Sequence, residues 1–323
     1  MAHESLPAAK RRKDDEYYTL LSDVDEELSH HASQLAGRSV YLPCDDPDKS
    51  QIWAWLEERF LSLGLTRLVS TFLDDGAESP AKMTSIELVD GKAVRSQMPL
   101  QGNGDFRSEE CLSILDTCDM AITNPPFSLF RTLVSNLLDR GKDFVLLGNK
   151  NAVAFREVFP RMMAGEISLG YNVPKEFLLP DGTMTQRVSG MCRWFTTLPV
   201  DKRIEPLELT EEFDATRYPR YDNYDAVEVS RTSKIPRDYP GVMGVPLTYI
   251  DKHCPSQFEI LWIACGNAYS TMPPGIREEL RFDPTVDCGG GLGSCVLGGK
   301  AKYTRLFIRR VDMVAWPQIA PSS

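Results

Sequence analysis

Two rhythms of apolar and polar positions alternate along residues 20–150. Short strand-like runs lie at 39–44, 67–73, 120–123 and 144–148, and between them come stretches of helical spacing. Residues 51–63 carry Trp53, Leu56, Phe60 and Leu63 at intervals that line one face of a helix packed on a sheet. Further helices are predicted at 108–115 and 129–140, the second stopping at Gly141. Ser22, with Asp25 three positions on, has capping-box spacing and predicts a helix through about residue 30. Residues 84–94 alternate around Asp90-Gly91, a strong hairpin turn. Strands alternating with amphipathic helices predict an α/β fold with a mostly parallel, doubly wound sheet. Unbroken apolar strands suit a sheet covered on both faces.

Beyond about residue 165 the helical period fades and turns such as Pro180-Asp181-Gly182 and Pro240-Gly241 multiply. Strand-like segments at 188–197, 226–229 and 303–309 predict a second part rich in strands and loops. The expected organisation is a disordered basic arm at 1–15, a core at 16–165, and a C-terminal part at 166–323 that completes the core sheet.

The bulk numbers narrow the function classes. A chain of 323 residues with 42% hydrophobic and 25% charged content is an ordinary globular protein, long enough for a core plus an appended part. No apolar run reaches the ~18 residues of a membrane span, and the N-terminus lacks a secretory pattern, so a cytoplasmic protein is expected. The eight cysteines form no C-x-x-C pair and read as buried thiols; Cys288 and Cys295, flanking a glycine run, are not expected to bridge in that setting. No metal is expected. The net charge of −10 argues against a uniformly basic nucleic-acid surface but not against a local one. Basic clusters stand at residues 10–13, at Arg217, Arg220, Arg231, Lys234 and Arg237, and at Lys300, Lys302, Arg305, Arg309 and Arg310.

The chemistry concentrates where the third apolar strand ends, in Asn124-Pro125-Pro126-Phe127. An exocyclic amine conjugated to a ring is a poor nucleophile because its lone pair is delocalised. The Asn124 side-chain oxygen and the Pro125 carbonyl are acceptors that can hold such an NH2 and aim its lone pair at a methyl donor. Phe127 offers a flat stacking face, and consecutive prolines stiffen the loop by fixing φ. Read alone, the segment is also an ordinary Asn-Pro turn after a strand. Its neighbours weigh against that. Acidic residues follow three successive strands, at Asp45-Asp46, Asp74-Asp75 and Asp105-Phe106, and in open α/β sheets that rim is where ligands bind. Carboxylates there would take ribose hydroxyls or an ammonium, and the aromatic faces of Tyr17 or Tyr18 would attract a sulfonium. The first strand has no G-x-G-x-x-G turn after it, which counts against a dinucleotide. The glycine run at 289–293 lacks P-loop spacing and reads as a flexible loop. Pro43-Cys44 resembles the nucleophile of cytosine carbon-5 methyltransferases, yet an exocyclic amine needs no covalent activation, so Cys44 reads as pocket lining.

These pieces together resemble the adenine-specific DNA methyltransferase family typified by the EcoRI modification enzyme. The matching segments are Asp15-Glu16-Tyr17-Tyr18-Thr19, Val40-Tyr41-Leu42-Pro43-Cys44-Asp45-Asp46-Pro47 and Ile122-Thr123-Asn124-Pro125-Pro126-Phe127-Ser128-Leu129-Phe130-Arg131. Leu147-Gly148-Asn149, a run from Tyr221 to Val229, Gly244-Val245-Pro246-Leu247-Thr248 and a run from Tyr303 to Arg309 complete the match, in order, over roughly residues 14–310.

The resemblance implies a Rossmann-like core, S-adenosyl-L-methionine as methyl donor and adenine N6 in double-stranded DNA as acceptor. It implies that Asn124, Pro125, Pro126 and Phe127 are the catalytic motif. Tyr17, Tyr18, Thr19, Cys44, Asp45, Asp46, Asp74, Asp105 and Phe106 become the expected cofactor contacts, with Cys44-Asp45-Asp46 standing where most methyltransferases carry a glycine-rich loop. The expected DNA contacts are Arg187, Arg193, Arg217, Arg220, Arg231, Lys234 and Arg237. The target adenine would be flipped out of the duplex by a monomer, in a restriction–modification or orphan setting. Rival readings are a methyltransferase acting on RNA adenine or a protein amide, and a catalytically silent DNA-binding relative.

Overall fold

The strands read from residues 20–150 are all present, with altered ends. The computed structural model describes residues 18–73, 81–179, 182–186, 190–202, 204–266, 268–286 and 289–311. The expected arm at 1–15, and Tyr17, Asp74 and Arg187, lie outside the described residues. The chain divides into two compact units: residues up to 152 with 164–201, and residues 153–163 with those from 202 on.

The first unit contains β1 (Tyr18–Thr19), β2 (Ser39–Leu42), β3 (Arg67–Ser70), β4 (Lys82–Val89), β5 (Lys92–Pro99), β6 (Met120–Thr123), β7 (Asp143–Asn149), β8 (Ser168–Leu169), β9 (Phe177–Leu178), β10 (Met184–Thr185) and β11 (Cys192–Thr196). Its helices are α1 (Leu21–His31), α2 (Gln51–Glu58), α3 (Glu109–Asp116) and α4 (Phe130–Asp139). Eight strands form one sheet in the order β5-β4-β3-β2-β6-β7-β11-β8. Only the β3–β2, β2–β6 and β6–β7 pairings are parallel; β4 pairs antiparallel with β3 and β5 at one side, and β11 with β7 and β8 at the other. The expected mostly parallel sheet is therefore a mixed one. A two-residue turn reverses the chain between β4 and β5, with Asp90 at φ 49° and Gly91 at φ 74°.

Both faces of the parallel centre are covered. Val40, Leu42, Met120, Ile122, Val145 and Leu147 join Val24, Leu28, Trp53, Trp55 and Leu56 of α1 and α2 in one core. Residues of opposite parity face the other way, as strand alternation requires. There Tyr41 and Cys111 of α3 both reach Thr71, and the rings of Phe130 and Phe195 lie 5.1 Å apart. Of the part at 166–323 expected to complete the core sheet, β8 and β11 join the eight-stranded sheet, β9 and β10 pair with β1 in a separate three-stranded sheet, and the strands after residue 202 lie in other sheets.

Two helix expectations change. Ser22 is not a cap: α1 starts at Leu21 behind Leu20, which makes no side-chain cap. The Asp25 carboxylate accepts instead from the Trp55 indole N–H at 2.7 Å, fastening α1 to α2. Helix α2 ends at Glu58 rather than 63, where the bonding tightens to Phe60 N–H on the Glu57 carbonyl, although Phe60 and Leu63 stay buried.

The second unit contains α5 (Phe159–Met163), β12 (Val227–Glu228), β13 (Met243–Pro246), β14 (Phe258–Ala264), α6 (Ala268–Thr271), α7 (Pro274–Glu279), β15 (Val296–Leu297), β16 (Lys300–Ala301) and β17 (Arg305–Arg310). Four strands make a sheet ordered β12-β13-β17-β14, and β15 and β16 form a separate hairpin. Phe159 meets Trp262 edge to face at 5.2 Å, and Tyr224 lies 4.7 Å from Phe307. The glycine run, expected to be flexible, is anchored: Tyr224 donates to the Gly293 carbonyl, Asn223 to that of Ser294, and the Ser294 hydroxyl to that of Gly290. It borders a cavity of about 300 Å³. Among the described residues, no helix is long and apolar enough to cross a membrane.

Candidate active site

Because β2, β3, β6 and β7 are parallel, their carboxyl ends share one edge. From β2 the chain moves outward to β3, then crosses back to place β6 on the other side of β2. The reversal therefore falls between β2 and β6, the position at which open α/β sheets bind ligands. Cys44-Asp45-Asp46 leave β2 there, and Asn124-Pro125-Pro126-Phe127 leave β6.

Asp45 ties these two exits together. It is 6% exposed. Its carboxylate accepts from the Ser50 hydroxyl at 2.5 Å, from the Thr123 hydroxyl and from the Asn124 backbone N–H. Ser50 is in turn the N-cap of α2, accepting from the Trp53 N–H at 3.2 Å, and the Ser70 hydroxyl donates to the Asp45 carbonyl. One buried residue thus joins the ends of β2, β3 and β6 and the start of α2. Burial dominates its electrostatics and lifts the carboxyl to about 6, against the lowering effect of the three donors. Its oxygens serve the protein's own groups, whereas it was expected among the cofactor contacts.

Asn124 is half-buried, and its side-chain nitrogen donates to the Thr19 hydroxyl at 3.3 Å. Thr19 is buried in β1, which pairs with β9 through Thr19 opposite Phe177. Pro125 is buried and Pro126 and Phe127 are half-buried, with Phe127 packed against the main core. Phe127 opens a 3-10 turn (Phe127–Leu129) that runs into α4. Gly148 on β7 makes room for that helix start: a Cβ there would collide with the Phe130 ring.

The remaining rim residues are arranged more locally. Cys44 is half-buried, and burial beside the Asp45 carboxyl pushes its thiol well above the ordinary value, so it is a neutral group. Asp46 accepts from the Asp48 N–H at 3.0 Å and pairs with Lys49 at 2.8 Å. Asp105 is half-buried and paired with Arg107, and Phe106 is buried. Gly104, at φ 79°, lets this loop lie against the backbone of Phe72 just past β3, where any Cβ would strike the Phe72 carbonyl. Tyr18 stands beside Thr19 in β1.

The expected DNA contacts fare unevenly. Arg193 is buried and donates to the carbonyls of Gly190 and Cys192. Arg217 and Lys234 share Glu211, Arg220 pairs with Asp225, and Arg237 with Glu212. Arg231 is exposed and makes no ion pair among the described residues.

Sequence reading missed the roles of Ser50, Ser70 and Thr123, and the Thr19–Asn124 bond. Only Ser50 carried a signal, a serine directly before an amphipathic helix. The others act across strands far apart in sequence.

A mixed α/β sheet carrying this rim is consistent with a methyltransferase fold. Comparison with known proteins supplies the family. Residues 5–311 match the family described as adenine-specific methyltransferase EcoRI. Type II methyltransferase M.EcoRI of Escherichia coli is 34% identical, over 79% of this chain and 88% of that protein. Type II methyltransferase M.MpnI of Mycoplasma pneumoniae is 34% identical and M.MgeORF184P of Mycoplasma genitalium 30%, each over 94% of this chain and 97% of the relative. No solved structure matches the chain. The chain belongs to the EcoRI family of adenine-specific methyltransferases.

Proposed function

We propose that this protein methylates the N6 amine of adenine in double-stranded DNA, at a specific site, using S-adenosylmethionine in a restriction–modification or orphan setting. The observation that carries the reading is the Asn124-Pro125-Pro126-Phe127 segment at the β6 exit. It stands beside the point of strand reversal, with the Asn124 backbone bonded to Asp45 and its side chain to Thr19.

The residues present fit the cofactor by their chemistry. Its ammonium, ribose hydroxyls and adenine amine are all hydrogen-bond donors, and the rim offers the Asp46 and Asp105 carboxylates beside Cys44 and the apolar Phe106. Those residues, with Tyr18 and, outside the described residues, Tyr17 and Asp74, are the proposed holders. When bound, S-adenosylmethionine supplies an electrophilic methyl group.

The rest is the work of the chain. The Asn124 side-chain oxygen and the Pro125 carbonyl accept the two N–H bonds of the amine, favouring a pyramidal nitrogen with its lone pair aimed outward. Phe127 presents its ring to the flat face of the base, and the two prolines keep both acceptors in register. The effect is chiefly one of positioning. Adenine N6 cannot be reached this way inside a duplex, so the base leaves the stack at a cost of a few kcal/mol.

The test is tritiated methyl transfer from S-adenosylmethionine to unmethylated genomic DNA. The expected product is N6-methyladenine, with Asn124→Ala slowing transfer by about 100-fold or more. Undiminished transfer by the variant would remove Asn124 from the mechanism. Transfer to RNA or protein but not DNA would replace the acceptor.

A further inference from the structure

We propose that Tyr303, with Lys300 and Lys302 beside it, is a duplex-DNA contact of the second unit, its ring against bases or sugars and the two ammonium groups toward phosphates. This rests on the reading of DNA as the acceptor.

Tyr303 is 90% exposed, the most exposed large hydrophobic side chain among the described residues, where the next, Leu61, is 59% exposed. Four other tyrosines of this unit, Tyr218, Tyr221, Tyr224 and Tyr249, are buried, and Tyr239 is half-buried. Single exposed apolar residues are common on protein surfaces, and exposure alone would carry nothing. What sets Tyr303 apart is that the backbone beneath it is braced from both sides.

Upstream, the β15–β16 hairpin turns at Gly298 and Gly299, at φ 56° and 71°. The Gly299 N–H donates to the Asp222 carboxylate at 2.8 Å, and the Lys302 N–H to the Cys295 carbonyl at 2.8 Å. Downstream, the Arg305 guanidinium donates to the carbonyls of both Tyr303 and Thr304 at 3.3 Å. Arg305 is itself fixed, because Nε and Nη2 grip the buried Glu228 carboxylate at 3.0 and 2.7 Å, and the Tyr221 hydroxyl donates to the same group. A buried, bidentate ion pair is a rigid anchor. Here it fixes two carbonyls whose side chain points into water. A pre-ordered aromatic loses little further freedom when it meets a partner, which is how rigid Tyr side chains contribute to binding.

Charge selects the partner. The cations at 217–237 that were expected to meet DNA are mostly matched with Glu211, Glu212 and Asp225. Lys300 and Lys302 make no ion pair among the described residues. On a chain of net charge −10, an exposed Lys300 and a half-buried Lys302 just before an exposed ring form a local site for a polyanion.

The experiment measures binding of the full-length protein to a long unmethylated duplex by fluorescence anisotropy across salt concentrations, for wild type, Tyr303→Ala, Tyr303→Phe and Lys300→Ala/Lys302→Ala. Tyr303→Ala is expected to weaken binding about tenfold, and Tyr303→Phe to retain it because the ring remains. The double lysine variant is expected to flatten the slope of log K against log salt by up to about 2. Melting temperature and calorimetric affinity for S-adenosylmethionine should stay at wild-type values, since the ring is exposed. Binding by Tyr303→Ala within twofold of wild type, while wild type binds and methylates DNA, would overturn this proposal and leave the function standing. A change in sedimentation with unchanged DNA binding would overturn it in favour of self-association. Wild type that neither binds nor methylates DNA would overturn both.

Discussion

At the scale of single residues, Asp45 and Thr19 govern how Asn124 is presented. Asp45 has a carboxyl raised to about 6 from an ordinary 3.8 by burial. A raised carboxyl favours the native state most when protonated. Its contribution is fully present below about pH 4 and is lost as the pH climbs through 6, a change on the order of 3 kcal/mol. Asp45→Asn cannot ionise, so its unfolding free energy relative to wild type should improve steadily from pH 4 to pH 7. Urea titrations at four pH values would measure this, and a constant difference would mean that Asp45 titrates normally. Thr19→Val removes the acceptor for the Asn124 amide, a bond worth about 1 kcal/mol. Single-turnover transfer should slow about fivefold with cofactor affinity unchanged, and Thr19→Ser should restore it. A raised KM for S-adenosylmethionine instead would make Thr19 a cofactor contact. Much of this site was legible in sequence, since the Asn124-Pro125-Pro126-Phe127 strand end and the acidic strand ends were visible. What was hidden is the division of labour: Asp45 reads as a rim acceptor, yet Thr123 lies 78 positions away and meets it only through strand pairing.

At the scale of elements, the start of α4 sits where it does because Gly148 gives Phe130 room. Gly148→Ala overfills that space and should cost 1–3 kcal/mol, with a fall in kcat because Phe127 leads directly into the same helix. Phe130→Leu in the same chain should return part of both. Melting curves and steady-state kinetics on the single and double variants decide it; additive losses would mean the two positions are independent. Hairpin, strand and most helix positions were readable because each follows from local periodicity or turn chemistry. The failures were at ends, where partners elsewhere override local signals: Asp25 bonds to Trp55 instead of capping α1.

At the scale of the whole molecule, charge and its pairing matter more than its sum. Composition alone leaves the DNA-facing surface of an acidic protein unplaced, and the sequence clusters of arginine mislead because their carboxylate partners sit a few to a few dozen residues away. The Glu228–Arg305 pair, with side chains 7% and 11% exposed, belongs to a different class from those surface pairs. Glu228→Ala leaves Arg305 uncompensated and should destabilise the second unit by about 3–5 kcal/mol. Arg217→Ala, on an exposed pair, should shift stability by no more than about 1 kcal/mol. Unfolding followed by Trp262 in a variant lacking the other tryptophans would separate the two cases, and equal losses would contradict the assignment of Glu228–Arg305 as the anchor.

Sequence by itself determined the alternation of strands and helices, the hairpin, the Asn124-Pro125-Pro126-Phe127 strand end and the family, because periodicity, turn preference and side-chain functional groups are local properties of the chain. Only the tertiary structure decided that the sheet is mixed, that Asp45 joins three strand ends, that Thr19 engages Asn124, and that Tyr303 is held out on a braced turn. Those outcomes depend on which strands lie side by side and which opposite charges meet. Pairing across the fold, and the burial it imposes, sets them.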